Sequence, residues 1–249
     1  MGDGDAYAAL AHDRTATRKA YDELARVWSA TTDDGPWNGH LERPALRSAI
    51  PLPLDSTAVL DAGCGSGAQC EWLADHGAEV IGIDFSAHMI AQAHRRCGKR
   101  VRFRVADLAE PLGLEPESLD GVTCSLALHY VEDWSVPLAS FAEALRPGGW
   151  AVISLDHPFS PPLPGQSGGY FEHELVADTW TKADVTVTLR FWRRPLGSVV
   201  QAFASAGFSI EQVVEARPTM ESIDRFPELG RVLDTPTFIV YRLRRAPDR

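Results

Sequence analysis

VLDAGCGSG, residues 59–67, joins an apolar strand ending in Asp61 to three glycines at alternate positions. An amphipathic run from Ala68 to Asp75 follows directly. In α/β proteins a strand, a glycine-rich turn and a helix in this order bring backbone N–H groups and a helix N-terminus up to a bound ligand. The stretch therefore predicts a ligand site at the end of a buried strand.

The residues after Thr57 alternate between short apolar strands and amphipathic helices. Helices are predicted at 67–76, 86–96, 136–145 and 196–206. Strands are predicted at 57–61, 79–83, 101–105, 119–125, 150–155, 209–214 and 237–243. Strands that are apolar on both faces are typical of a sheet buried between two helical layers. The pattern predicts an α/β fold with a doubly wound, mostly parallel, seven-stranded Rossmann-like sheet.

Two regions depart from this alternation and predict additions to the sheet. Residues 1–54 read as an N-terminal helical lid, with helices at 13–30 and 41–50 around a turn segment at 31–40. Residues 157–194 read as an inserted substrate cap, in which a Pro/Gly-rich loop precedes two alternating segments that suggest an antiparallel pair. We expect one domain over 1–249, with a ligand-binding core at 55–156 and C-terminal helix and strands at 195–249.

Composition and charge favour a single globular domain and disfavour nucleic-acid-binding and membrane-spanning proteins. The 249 residues are 45% hydrophobic, which suits one large α/β domain. A net charge of −10 disfavours a nucleic-acid partner. No apolar run approaches the ~20 residues of a membrane span, and the polar N-terminus lacks an apolar signal core. We expect a cytoplasmic protein, monomer or homodimer, that acts on a small molecule without a metal or a membrane.

Two acids bear on the identity of the ligand. Gly63, Gly65 and Ala68 also fit the dinucleotide fingerprint, so the loop alone is ambiguous. Asp61, directly before the turn, would repel a pyrophosphate and attract an ammonium group. Asp84 closes the next strand, where a carboxylate can accept hydrogen bonds from both ribose hydroxyls. An amine and a ribose without a phosphate describe S-adenosyl-L-methionine.

Five motifs carry a family resemblance over roughly residues 55–156. They are VLDAGCGSG, EVIGIDFSAHMIAQAHRR, VADLAEPL, SLDGVTCSLALHYVEDW and ALRPGGWAVISL. In order and spacing they resemble the S-adenosylmethionine-dependent methyltransferases with a Rossmann-like fold, especially the small-molecule group that includes ubiquinone and menaquinone methyltransferases. The later PTFIVYRLRR resembles that family's last strand. The resemblance implies methyl transfer to an oxygen or nitrogen, less readily to a carbon, of an aromatic or hydrophobic metabolite.

The resemblance also implies which residues hold the cofactor. They are expected in the lid, the glycine turn and the strand ends, at Tyr21, Arg43, Asp61, Gly63, Cys64, Gly65, Gly67, Asp84, Phe85, Met89, Asp107, Leu108 and Leu126. Asp61 and its glycines would meet the methionine end, Asp84 the ribose and Asp107 the adenine amine. Tyr21 and Arg43 would bind the cofactor carboxylate from the lid. Core packing of Met89 and a turn-capping Asp107 stay open as alternatives.

Two histidines are candidates for the catalytic base. His129 and His157 follow strands at the edge where doubly wound folds bind ligands. A neutral imidazole titrates near pH 6.5, which suits proton removal from an oxygen or nitrogen nucleophile. A structural role for either histidine stays open. Tyr130, Asp156 and Glu132 are weaker candidates.

Aromatic residues of the lid and the cap are expected to bind the substrate. The predicted set is Trp28, Trp37, Tyr130, Tyr170 and Phe171. An apolar pocket for a planar molecule is the functional interpretation, and sealing of the cap onto the sheet is the alternative. Two other functions stay open. One is a nicotinamide-dependent oxidoreductase, and the other is an S-adenosylmethionine-binding protein with a non-methylating reaction such as cyclisation.

Overall fold

A computed structural model describes residues 3–160 and 169–246. Nine strands are assigned within these ranges: β1 Ala58–Ala62, β2 Glu79–Asp84, β3 Val101–Val105, β4 Leu119–Ser125, β5 Leu145–Asp156, β6 Glu174–Lys182, β7 Val185–Arg193, β8 Phe208–Glu215 and β9 Phe238–Arg245. Seven of them form one sheet in the order β3-β2-β1-β4-β5-β9-β8. β9 is antiparallel to both neighbours, and the other pairings are parallel. The predicted fold class is confirmed.

Helices cover both faces of this sheet. They are α1 Asp3–Trp28, α2 Arg43–Ser48, α3 Ala68–Asp75, α4 Ala87–Cys97, α5 Ser135–Ala144, α6 Leu196–Ser205 and α7 Met220–Arg225. Residues of α2, α3 and α4 pack in one apolar cluster with one face of the strands. Residues of α5 and α6 pack in a second cluster with the other face. Strands buried on both sides explain the continuous apolar runs of the sequence.

The order of the sheet fixes where a ligand can bind. β1 pairs with β2 on one side and with β4 on the other, so the direction of winding reverses between β1 and β4. In open α/β sheets the crevice at the carboxyl ends of such strands is the usual ligand site. The glycine turn after β1 therefore lies at the switch point of the sheet.

The lid and the cap pack against each other as well as on the core. β6 and β7 form the predicted antiparallel hairpin, separate from the main sheet. Ala20 and Leu24 of α1 pack in one apolar cluster with Met89 of α4 and with Val187 and Leu189 of β7. The lid helix is thus held between the cap hairpin and the core.

Three local features differ from the prediction. The segment 31–40 contains parts of two π-helical turns, Ser29–Asp33 and Asn38–Glu42, instead of turns alone. β5 begins at Leu145, five residues before the predicted start of this strand. The backbone is already extended at Leu145, directly after α5. Helix α7 was not predicted. Residues 161–168 of the predicted Pro/Gly-rich loop lie outside the described residues. Within the described part of the chain, no helix has the length and apolarity needed to cross a membrane.

Candidate active site

A cavity of about 650 Å³ lies at the carboxyl ends of β1, β2, β4 and β5 and is covered by α1 and the cap hairpin. Its size falls in the range of small-molecule and cofactor sites. Fourteen residues named from the sequence line it: Tyr21, Trp28, Trp37, Gly63, Gly65, Asp84, Phe85, Asp107, Leu108, Leu126, His129, Tyr130, Asp156 and His157. The structure therefore brings the predicted glycine turn and part of the predicted aromatic lid to one cavity.

Gly63 shows why the turn after β1 needs glycine. Its backbone has φ +74°, and a Cβ at this position would come within 2.2 Å of the Ala127 Cβ. The turns after β1 and β4 are thus in direct contact at the switch point. A side chain at Gly63 would fill the cradle that these two turns form.

Asp84 joins the glycine turn to the next helix. Its Oδ2 accepts a hydrogen bond from the Gly65 N–H at 2.9 Å, and its Oδ1 accepts one from the Ser86 N–H at 2.9 Å. Burial raises the pKa of Asp84 to about 6. Ser86 is the N-cap of α4, since its hydroxyl accepts from the Met89 N–H. Each carboxylate oxygen of Asp84 keeps a further lone pair for a ligand.

Asp61 lies in the interior and does not line the cavity. Its side chain is buried, and its Oδ1 accepts a hydrogen bond from the Thr123 hydroxyl at 2.8 Å. Its Oδ2 accepts from the Cys70 thiol at 3.1 Å. The structure places this acid between β1, β4 and α3, so the predicted contact with the cofactor amine has no support from its position.

Three other predicted cofactor residues also lie outside the cavity. Met89 is fully buried in the cluster between α1, α4 and β7, as its packing alternative predicts. A Cβ on Gly67 would lie 3.0 Å from the Ala93 Cβ, so this glycine allows α3 and α4 to approach each other. Cys64 is buried in the apolar cluster beneath the turn. For these three the structure shows packing roles.

Phe85, Asp107 and Leu108 line the end of the cavity at β2 and β3. Asp107 accepts a hydrogen bond from the Ala109 N–H at 3.0 Å, which is the turn-capping alternative. Its other oxygen pairs with the Arg18 guanidinium of the lid at 3.2 Å. The predicted adenine contacts of this group stay predictions, although all three residues face the cavity.

Of the two lid residues predicted to bind the cofactor carboxylate, only Tyr21 lines the cavity. Tyr21 lines the cavity and donates a hydrogen bond to the Tyr130 hydroxyl at 2.8 Å. Arg43 does not line the cavity, because its guanidinium pairs with Asp33 at 3.5 Å inside the lid. Asp33 also binds Arg96 at 2.5 Å and the Ser66 hydroxyl at 2.7 Å. Arg43 therefore helps to fix the lid on the core, and its predicted cofactor contact has no support.

The two histidines proposed as catalytic bases both line the cavity, but neither has the properties of a base. Burial and the nearby Arg194 guanidinium lower the pKa of His129 to about 3, so it holds a proton too weakly at neutral pH. His157 uses both ring nitrogens: Nδ1 accepts from the Phe159 N–H at 3.1 Å, and Nε2 lies 3.1 Å from Glu215. Its structural alternative is the better interpretation.

Of the five predicted substrate residues, three line the cavity and two do not. Trp28, Trp37 and Tyr130 line the cavity, and Trp28 stacks on Trp180 of the cap at a ring distance of 6.3 Å. Phe171 is 85% exposed and does not line the cavity. Tyr170 packs on Phe159 and accepts from the Leu196 N–H, also outside it. The positions of Tyr170 and Phe171 therefore give no support to their predicted substrate contact, which stays a prediction.

Sequence reasoning missed one acid of the cavity wall, Asp178. Along β6 the residues Val176, Asp178 and Trp180 share one phase of the strand alternation, and the two latter residues line the cavity. Asp178 accepts a hydrogen bond from the Trp180 indole at 2.6 Å. An acid in the apolar phase of an alternating strand was the signal that could have identified it. No group of His, Cys, Asp or Glu suited to a metal ion occurs among the described residues.

Comparisons with known proteins agree with this geometry. The family model described as a methyltransferase domain matches residues 60–153. A curated relative, a ubiquinone biosynthesis O-methyltransferase of Thiobacillus denitrificans, is 33% identical over 146 residues, which are 54% of this chain and 60% of that protein. The chain thus spans about 60% of the length of that relative.

Solved structures match more of the chain. An S-adenosylmethionine-dependent methyltransferase of Mesorhizobium loti is 31% identical with a TM-score of 0.66, covering 82% of this chain and 97% of that one. The 1,6-didemethyltoxoflavin-N1-methyltransferase of Burkholderia thailandensis, solved with that substrate and S-adenosylhomocysteine, has a TM-score of 0.62. It is 21% identical over 99% of this chain and 92% of that chain, so this likeness concerns the fold alone.

Proposed function

Because the chain belongs to the S-adenosylmethionine-dependent methyltransferases, we propose that it transfers a methyl group from S-adenosylmethionine to an oxygen or nitrogen of a small planar metabolite. The family membership rests on the match to the Mesorhizobium loti enzyme over nearly its whole length. The observation that supports the substrate class is one continuous cavity. It is lined both by the glycine turn with Asp84 and by the rings of Trp28, Tyr130 and Trp180.

The residues present fit the cofactor. The turn at Gly63 lines the cavity and leaves no room for a side chain, and Asp84 presents free lone pairs beside that turn. We assign Gly63, Gly65, Asp84, Phe85, Asp107 and Leu108 to the cofactor half. When bound there, S-adenosylmethionine would supply an activated methyl group. The chain itself would orient the acceptor atom and exclude water beneath the lid.

We propose oxygen, in preference to nitrogen, as the atom that accepts the methyl group. The curated relative of Thiobacillus denitrificans is an O-methyltransferase by its name, which favours this assignment over nitrogen. Flat aromatic walls accommodate a planar molecule through offset and edge-to-face ring contacts.

Calorimetric titration tests the proposal. S-adenosylhomocysteine should bind the full chain with one site, and NAD should not bind. Transfer of a tritiated methyl group to small phenols then tests the reaction. Binding of NAD without binding of S-adenosylhomocysteine would overturn the proposal and restore the oxidoreductase alternative.

A further inference from the structure

Two polar groups in the substrate half of the cavity lack hydrogen-bond partners among the described residues. His129 Nδ1 is buried in a side chain that is 8% accessible, and it meets no donor or acceptor there. Asp156 accepts no side-chain hydrogen bond within the described ranges, and its Oδ2 lies 3.7 Å from that nitrogen. A buried polar group without a partner costs free energy, so His129 Nδ1, with the partly exposed Asp156 carboxylate beside it, is suited to a ligand that supplies the missing contacts.

The backbone fixes both groups at the end of the sheet. Asp156 is the last residue of β5, and its side chain, 35% accessible, lines the cavity. His129 lies in the single turn Leu128–Tyr130 after β4. The Trp134 indole holds that turn by donating to the carbonyls of Leu128 at 2.9 Å and Val131 at 3.0 Å. The pair is therefore mounted on adjacent strands of the rigid core.

Ionisable groups of each element around Asp156 line the same cavity. They are Tyr21 of α1, His129 and Tyr130 after β4, Asp178 and Lys182 of β6, His157 after β5, Arg193 at the end of β7 and Arg194 after it. Arg194 donates to the Val131 carbonyl at 2.9 Å, and Tyr21 donates to Tyr130. Burial and the like charge of Asp178 raise the pKa of Asp156 to about 7. A carboxylate that titrates near neutral pH can both take up and release a proton in turnover.

We propose that Asp156 is the catalytic base that takes the proton of a neutral phenolic hydroxyl as its oxygen is methylated, with His129 as a positioning residue. This inference rests on the proposed function. The O–H bond of the phenol breaks and its proton passes to the Asp156 carboxylate. The oxygen's electron pair forms the new O–C bond as the S–C bond of the cofactor breaks, which leaves neutral S-adenosylhomocysteine. Atoms and charge balance without a further reactant.

The same groups select the class of substrate. Asp156 and Asp178 both line the cavity, whereas Arg193 and Arg194 are each bound to a backbone carbonyl, so a carboxylate acceptor directly beside Asp156 would be repelled. The rings of Tyr130, Trp180 and Phe191 line the same part and suit a planar aromatic molecule. A neutral phenol satisfies both conditions and donates to the unpartnered carboxylate.

The test uses 4-nitrocatechol, whose visible spectrum changes when its hydroxyl ionises. The probe is titrated from pH 5 to 9 on the full chain saturated with S-adenosylhomocysteine, so that no methyl transfer occurs. We expect it to bind and its spectrum to report a second titration step near pH 7, where the neighbouring Asp156 ionises. Asp156→Asn should abolish this second step while S-adenosylhomocysteine affinity stays within about twofold. Asp184→Asn, at an exposed hairpin acid paired with Arg26, is the matched control and should keep the second step.

Turnover gives a second readout. With the best-methylated neutral phenol, kcat should rise with pH through a midpoint near 7. Asp156→Asn should lower kcat about 10²- to 10⁴-fold, the usual contribution of a general base. Asp178→Asn should move the midpoint of the kcat profile to lower pH, since it removes the like charge beside Asp156.

The outcomes separate the two proposals. Failure of wild-type protein to bind S-adenosylhomocysteine overturns the proposed function itself. Normal cofactor binding with no binding of 4-nitrocatechol, or with a bound probe whose spectrum shows no second titration step near pH 7, overturns the assignment of Asp156. The same holds if Asp156→Asn keeps the second step, or if benzoate or benzylamine is methylated in preference to catechol.

Discussion

The carboxylate of Asp84 accepts a hydrogen bond from the backbone N–H of Gly65 at 2.9 Å. The acid that ends β2 thereby fixes the conformation of the glycine turn that follows β1. Its second oxygen fixes Ser86 at the start of α4, so one side chain connects two strand ends and a helix. Loss of Asp84 should therefore affect both the shape of the turn and its ligand.

We predict that Asp84→Ala lowers the affinity for S-adenosylhomocysteine by about 10- to 100-fold, because hydrogen bonds to a charged group contribute about 1.5–3 kcal/mol each. Asp120→Ala is the matched control. Asp120 also accepts a hydrogen bond from a strand N–H, that of Ala58 at 2.7 Å, but at the start of β1, away from the cavity. Calorimetric titration should show near-normal affinity for this control. Equal losses in both variants would contradict the role of Asp84 in the site.

Gly63→Ala should abolish cofactor binding and destabilise the fold. The new Cβ would lie 2.2 Å from the Ala127 Cβ, and the φ of +74° is unfavourable for alanine. Gly113→Ala carries a similar backbone penalty, with φ +56°, but its Cβ would meet nothing within 4 Å. Both variants are compared by urea unfolding and by titration with S-adenosylhomocysteine. The difference between them measures the effect of the steric collision apart from that of the backbone conformation. Equal behaviour of the two would show that the turns after β1 and β4 can separate at little cost.

The buried Asp84 also predicts a dependence of stability on pH. Its pKa is raised from 3.8 to about 6 in the folded protein, so the folded state binds this proton more tightly than the unfolded state. The stabilisation of the folded state by the protonated Asp84 is complete below pH 3.8. It is lost as pH rises through 6. Relative to Asp84→Asn, wild type should lose about 3 kcal/mol of unfolding free energy across this window. Urea unfolding at pH 3 to 8 measures it, and a constant difference would contradict the burial of this acid.

The sequence predicted the sheet and the position of its ligand site because those depend on local signals. Apolar runs identify buried strands, and the turn around Gly63 needs a conformation that glycine adopts without strain. The partners of Asp61 and Arg43 could not be predicted in that way. Asp61 binds Thr123 of β4, and Arg43 binds Asp33 of the lid, so each depends on tertiary packing of distant segments.

The choice of a catalytic base likewise could not be predicted from local sequence signals. Histidine has the right ordinary pKa for a base, which favoured His129 from sequence. Burial reverses this preference, since it lowers the pKa of His129 and raises that of Asp156. Only the arrangement of the cap around these residues determines which of them titrates near neutral pH.

The last prediction concerns Glu42, a fully buried acid of the lid. Its Oε1 accepts hydrogen bonds from the hydroxyls of Ser125, at 2.9 Å, and Ser154. Ser154 in turn accepts from the N–H of Leu126, a cavity residue with φ +46°. The lid thus holds an unfavourable backbone conformation in the cavity wall through Ser154.

Glu42→Leu should destabilise the protein by about 2 kcal/mol, because the buried Ser154 hydroxyl and the part-buried Ser125 hydroxyl lose their acceptor. It should also weaken S-adenosylhomocysteine binding, since Leu126 lines the cavity. Glu42→Gln keeps an oxygen acceptor and is the control. Burial raises the pKa of Glu42, so removal of its charge should leave this control at least as stable as wild type at pH 8. In a double-mutant cycle the losses from Glu42→Leu and Ser154→Ala should be less than additive, because both break the same chain of hydrogen bonds. Full additivity, measured by urea unfolding, would show that the lid and Leu126 are independent.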